Sequence, residues 1–262
     1  MAKTTIDSWD AGFFRQSAMF EPVAQAAAKF SACSDWPTLD LINQLFESKQ
    51  QAIRAVPQAG VASCFEEQYE PRIYLKSELQ TRSSNWHDFF NALVWLQFSK
   101  TKRELNRLHY YEALQRDEKT NRSRVENAIA LFDECGCIII SSDQSLLDLI
   151  RNHQWYELFV ERRESFFQDI ECYIFGHAMF EKALNPYIGM TCQAILIHSE
   201  QLLNAELTDI DQQLAQLWQR GDIRKPAHLF PFPVLGVPGW YEGEQSEHFY
   251  RNTDYFRPRR EE

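Results

Sequence analysis

Apolar positions recur at helical spacing through much of the first half of the chain. An Ala-rich stretch over 23–30 follows Pro22, and proline is tolerated at a helix start because no N–H is needed there. After Pro37, residues 39–46 place Leu39, Leu41, Ile42, Leu45 and Phe46 on one side of a second amphipathic helix. The pattern lapses over 53–65, which contains Pro57 and Gly60. Polar and apolar residues then alternate over 72–76, which predicts a half-buried strand. Asn85 with Asp88 marks a helix start, and the run 86–98 is apolar nearly all round, as a buried central helix requires. A polar helix follows over 100–116.

Two apolar runs flank Asp133-Glu-Cys-Gly136, which predicts a type I turn in a hairpin, with a helix over 125–133 as the alternative. Further on, the pattern gives a short helix over 144–152 capped by Ser142 and a helix over 156–167. Strands follow over 170–175 and 191–198, with helices over 176–184 and 202–220. Beyond Gly221 periodicity disappears among Pro226, Pro231, Pro233 and Pro238. The many rings of that stretch predict an extended tail packed back on the rest. The expected fold is α+β: a single helix-rich domain over 1–262 with a small, mainly antiparallel sheet. It divides into a helical part (1–50), an α+β core (51–220) and an extended aromatic, Pro-rich C-terminal tail wrapping the domain (221–262).

Composition narrows the function classes. Hydrophobic residues make up 44% and charged residues 24% of the 262, which excludes a disordered chain. Aromatics at 14% favour a ring-filled core or a ring-lined pocket. With 9 Gly and neither glycine-rich phosphate motif, nucleotide binding by those loops is unsupported. The formal charge of −10 opposes general binding to a phosphate backbone, so nucleic acid is not the expected partner. No apolar run is long enough for a membrane span, and no basic segment leads into an apolar stretch near Met1. The expectation is therefore a soluble, cytoplasmic chain with free thiols at Cys33, Cys64, Cys135, Cys137, Cys172 and Cys192.

Candidate chemistry lies in pairs at helical spacing. His87 and Asn91 are one turn apart on the apolar helix, and His177 and Glu181 repeat that spacing on another. A histidine and a carboxylate on one face can hold an ion or exchange a proton; they can equally satisfy each other within a core. Asp133 and Glu134 are adjacent carboxylates, which suit acid/base work or simply a turn. Arg72, Arg82 and Lys182 could hold an anion, or could be ordinary surface charge. Lys100, Lys102, Arg103 and Arg107 form a basic stretch, which an RNA-associated factor would use.

Five stretches carry a family resemblance. They are Arg82-Ser-Ser-Asn-Trp-His-Asp-Phe-Phe-Asn-Ala-Leu-Val-Trp95, Ala130-Leu-Phe-Asp-Glu-Cys-Gly136, Phe175-Gly-His-Ala-Met-Phe-Glu-Lys-Ala-Leu184, Pro233-Val-Leu-Gly-Val-Pro-Gly-Trp240 and Asn252-Thr-Asp-Tyr-Phe-Arg-Pro258. Together they resemble the proteobacterial domain-of-unknown-function family 3025 from about residue 50 onward. The resemblance implies no particular reaction. It places His87, Asp88, Asn91, Asp133, His177, Glu181, Lys182 and Trp240 inside signature stretches.

These readings combine into an enzyme, or an enzyme-like binder, of a small anionic molecule. His87, His177, Glu181 and Asp133 would be catalytic, with Asn91, Arg72, Arg82, Lys182 and Trp240 binding the ligand. A divalent metal is a candidate cofactor, held by His87, His177 and Glu181 and supporting hydrolysis. The alternatives are a non-catalytic interaction protein with structural histidines and an RNA-associated factor.

Overall fold

The computed structural model describes residues 8–58, 60–116, 121–241 and 246–259. Helices α1 (Glu21–Ala27) and α2 (Leu39–Ser48) lead into strand β1 (Arg54–Pro57). Then come α3 (Tyr69–Lys76), β2 (Glu78–Thr81), α4 (Trp86–Gln97), α5 (Ser99–Gln115) and α6 (Arg124–Cys135). β3 (Gly136–Ser141), α7 (Gln144–Arg151), α8 (Arg163–Asp169), β4 (Ile170–Ile174), α9 (His177–Ala183) and β5 (Thr191–His198) follow. The described chain closes with α10 (Leu207–Arg220), β6 (Phe230–Pro233) and α11 (Glu247–Tyr250). The fold is α+β. One sheet has the order β4-β3-β5-β6, and a second pairs β1 with β2. In the larger sheet both outer ladders are antiparallel and the central β3–β5 pair is parallel; β1–β2 is parallel too. No helix among the described residues is long and apolar enough to cross a membrane.

Local chemistry explains the elements around the site. The Asn85 side chain accepts from Asp88 N at 3.0 Å and starts α4, which is buried on almost every side. Ser123 and Glu126 form a reciprocal capping box at the start of α6. Asp211 of α10 accepts from the N–H groups of Lys100 and Thr101, each at 2.9 Å, and so caps α5 directly behind α4. β3 is buried at every position, which accounts for its unbroken apolar run.

Four local expectations change. Residues 72–76 form the end of α3 rather than a strand. Pro71 stands within the first turn, where its missing N–H costs nothing, and the strand that pairs with β1 begins only at Glu78. No hairpin turn exists at Asp133-Glu134. The capping box commits 124–135 to helix, with Ala128, Ile129 and Phe132 buried, and β3 starts at the very next residue. Asp143, accepting from Ser145 N at 2.8 Å, caps α7 in place of Ser142. The cysteines are not all free. The parallel β3–β5 register brings Cys137 and Cys192 together as a disulfide, and Cys33, Cys64, Cys135 and Cys172 remain thiols.

The segment after Gly221 contributes β6 and buries Trp240, Tyr250, Tyr255 and Phe256 in the core. The Tyr255 hydroxyl donates to Met190 O at 2.7 Å and accepts from Leu235 N at 3.0 Å. Trp155 Nε1 donates to Arg257 O at 2.8 Å. These buried bonds tie the segment to the sheet and to the helices beside it.

Candidate functional site

Three helix ends meet at one place. Phe175 N and Gly176 N both donate to Gly136 O, at 3.0 and 2.9 Å, which brings the start of α9 against the junction of α6 and β3. Gly176 permits this contact. A Cβ there would lie 2.5 Å from Glu134 O and Gly136 N, far inside van der Waals contact. The approach sets His177 beside Asp133 and Glu134, and the packing of α9 on α4 brings in His87.

The two imidazoles are in direct contact, with His87 Nε2 and His177 Nε2 3.0 Å apart. Glu134 Oε1 lies 3.7 Å from His177 Nε2, and Oε2 lies 4.0 Å from His87 Nε2. One ligand atom from each of His87, Glu134 and His177 falls within a 4.8 Å cluster. Ligands on a tetrahedral zinc stand about 3.3 Å from one another, given bonds of about 2.0–2.1 Å, so these spacings fit a divalent cation after small rotations. Behind this trio, Glu181 Oε2 faces His87 Nδ1 at 3.1 Å, and Asp133 Oδ2 faces His177 Nδ1 at 3.7 Å. Lys102, almost wholly buried, donates to Asp133 Oδ1 at 2.5 Å and to Asn91 Oδ1 at 2.9 Å. The Asn91 amide nitrogen donates in turn to the Tyr69 hydroxyl at 2.7 Å. The trio opens into a cleft of about 630 Å³, walled in part by Gln58, Tyr69, Arg82, Arg116 and Arg122.

Electrostatics fix most of the protons. Burial pushes the His177 pKa down to about 3, so its ring is neutral at pH 7. Burial alone would raise the Asp133 carboxyl; the Lys102 ammonium, through its charge and its hydrogen bond, outweighs it and holds the pKa below the ordinary value. Asp133 therefore offers His177 Nδ1 only acceptors, a carboxylate and a backbone carbonyl. Nδ1 carries the ring proton, without a hydrogen bond of normal geometry, and Nε2 presents its lone pair. The hydrogen bond to Glu181 raises the His87 pKa, and the same bond lowers that of Glu181. With Glu181 ionised, His87 Nδ1 donates to it. The contact with His177 Nε2 holds one proton between the two rings, and the raised pKa of His87 favours its residing on His87. Burial raises the Glu134 pKa.

Not every residue expected here belongs. His87, His177, Glu181, Asp133 and Asn91 converge. Arg82 lines the cleft, engaged by both oxygens of Asp88 at 2.8 and 2.9 Å. Arg72 is held by Glu78 at 2.7 Å and does not line the cleft. Lys182 donates to Cys135 Sγ at 3.3 Å, also outside the cleft lining. Trp240, part of the tail, is buried in the core, its carbonyl accepting from Ser17 Oγ at 3.0 Å, and it does not line the cleft. In the group close enough to hold a cation Glu134 stands where Glu181 was expected, and Glu181 bonds to His87 from behind.

Sequence reasoning missed Lys102 and Tyr69. The spacing of Phe98, Lys102 and Leu105 puts the lysine on the apolar stripe of α5, a signal obscured by the neighbouring basic residues. The basic stretch is not a free cationic face, since Lys102 is buried, Arg103 donates to Gln51 and Arg107 is paired with Glu104. Tyr69 gave no signal, because its surroundings read as strand and loop.

Every side chain of the cluster falls within residues 53–260, and that span matches the family described as Protein of unknown function (DUF3025). No curated protein and no solved structure matches the chain. The match covers most of the sequence and includes all the signature stretches, so the chain belongs to the DUF3025 family.

Proposed function

We propose that the cleft is a divalent-cation centre that binds a small anionic molecule and hydrolyses it. The observation that carries this reading is the meeting of two imidazole nitrogens 3.0 Å apart with a third ligand, Glu134, at the edge of an open cleft. A divalent ion would supply Lewis-acid polarisation and lower the pKa of a water molecule. The chain's own groups are arranged for that use. Glu181 orients His87, and Asp133 faces the Nδ1 of His177; such outer carboxylates set the tautomer and basicity of ligating histidines. Lys102 balances the charge of Asp133, while the adjacent Glu134, also on the cleft wall, faces the two imidazoles. The proton between His87 and His177 occupies the place of the cation, so loading a metal expels it. Arg122 lines the cleft and makes no ion pair among the described residues, which leaves a guanidinium free for an anion. A cytoplasmic setting is part of the same proposal.

Elemental analysis after expression with added zinc or manganese tests the reading. We expect about one ion per chain, lost in His87→Ala and in His177→Ala. A wild-type protein with no bound metal, and no rise in melting temperature with either ion, would remove the metal from the account.

A further inference from the structure

The hydrogen bonds behind the metal ligands have a fixed direction, and that direction reaches the cleft. Lys102 is a donor only. Its bond to Asn91 at 2.9 Å therefore fixes the amide, with the oxygen toward the ammonium and the nitrogen toward Tyr69. The amide nitrogen is likewise a donor, so the Tyr69 hydroxyl accepts from it at 2.7 Å. The phenolic hydrogen is then unused, and among the described residues no group accepts it. Tyr69 lines the same cleft as His87, Glu134 and His177; Asn91, itself almost wholly buried, reaches the cleft wall, and Lys102 is buried behind it. The buried ammonium thus orients two arms. Through Asp133 it supports a lone pair at His177 Nε2, and through Asn91 it leaves a proton at Tyr69 Oη.

We propose that Tyr69 is the hydrogen-bond donor to the ligand's oxyanion, its proton directed into the cleft by the Lys102–Asn91 relay. This assignment rests on the metal-centre reading and deepens it: the ligand class is a small molecule whose anionic oxygen sits between the cation and the phenol. A hydrogen bond to a charged oxygen, made where water is partly excluded, is the usual protein device for holding charge that develops during hydrolysis. The hydroxyl is the atom that matters, because Phe at this position keeps the ring and removes only the donor.

The test is Tyr69→Phe, with inorganic phosphate as the probe and binding read by calorimetry with and without zinc. We expect zinc affinity within about twofold of wild type and phosphate affinity reduced about tenfold or more, the usual weight of a bond to a charged group. We also expect phosphate to perturb the ultraviolet absorbance of a tyrosine in the wild type and not in the variant. Phosphate affinity equal in the two proteins, or no phosphate binding to the wild type, would overturn the assignment. Failure of the metal-centre reading is seen separately, as absence of zinc binding to the wild type. The phosphate comparison in metal-free protein still decides the role of Tyr69 in that case.

Discussion

At the residue scale, the two histidines titrate in opposite directions. The His177 pKa falls from 6.5 to about 3 on folding, because burial disfavours the charged ring. Between those values the unfolded chain binds more protons, so acidification through that window destabilises the fold. The His87 pKa rises on folding through its bond to Glu181. Its stabilising contribution is full below the unfolded value and fades as pH rises through the folded one. The pair therefore gives the metal-free protein a stability maximum near pH 6.5 from these two groups. Urea unfolding between pH 5 and 8.5 should show His177→Leu flattening the acid limb and His87→Gln flattening the alkaline limb. An acid limb unchanged in His177→Leu would mean that the ring is not buried neutral. The i,i+4 spacings of His87 with Asn91 and of His177 with Glu181 were legible because chemistry of that kind repeats along one helix. Lys102 was hidden because a buried ammonium looks, in sequence, like any member of a basic run.

At the element scale, the site depends on how closely α9 approaches the α6–β3 junction. Gly176 and Gly136 both have negative φ, so neither is required for a left-handed backbone; each is required for space. A Cβ on Gly136 would lie 2.3 Å from Phe132 O. Gly176→Ala should cost about 1–3 kcal/mol in unfolding free energy, the range for overpacking a tight contact, and should weaken zinc binding by displacing His177 from Glu134. Chemical denaturation and calorimetry on one preparation check both; a variant with wild-type stability and zinc affinity would show that the approach is not what sets the site. The long, strongly periodic elements were readable from sequence: α4, α10 and β5 lie where the pattern puts them, apart from a later start for α10. Short segments were not. Five alternating residues at 72–76 suit either period, and an α-helix that becomes a strand with no intervening loop mimics a hairpin when Asp and Gly stand near the junction.

At the scale of the molecule, the family match and the convergence of distant residues describe the same object. Residues 69, 87, 102, 134 and 177 come from four helices and the end of a fifth, and none of their mutual contacts is local in sequence. Their convergence could be hypothesised from residue types, but the partner of each nitrogen is a property of the assembled fold. That is why the trio contains Glu134 in place of Glu181, and why Trp240, Arg72 and Lys182 lie outside the cleft lining. The tail lends stability rather than chemistry to this arrangement, through buried rings and the two bonds of the Tyr255 hydroxyl. The central claim is that His87, His177 and Glu134 together hold one divalent cation. Zinc titration of metal-free protein near pH 7, by calorimetry in two buffers of different protonation enthalpy, tests it most directly. The account predicts a single site, release of about one proton on binding, and loss of both signals in His177→Ala. Absence of saturable binding in the wild type, or equal binding in His177→Ala, would contradict it.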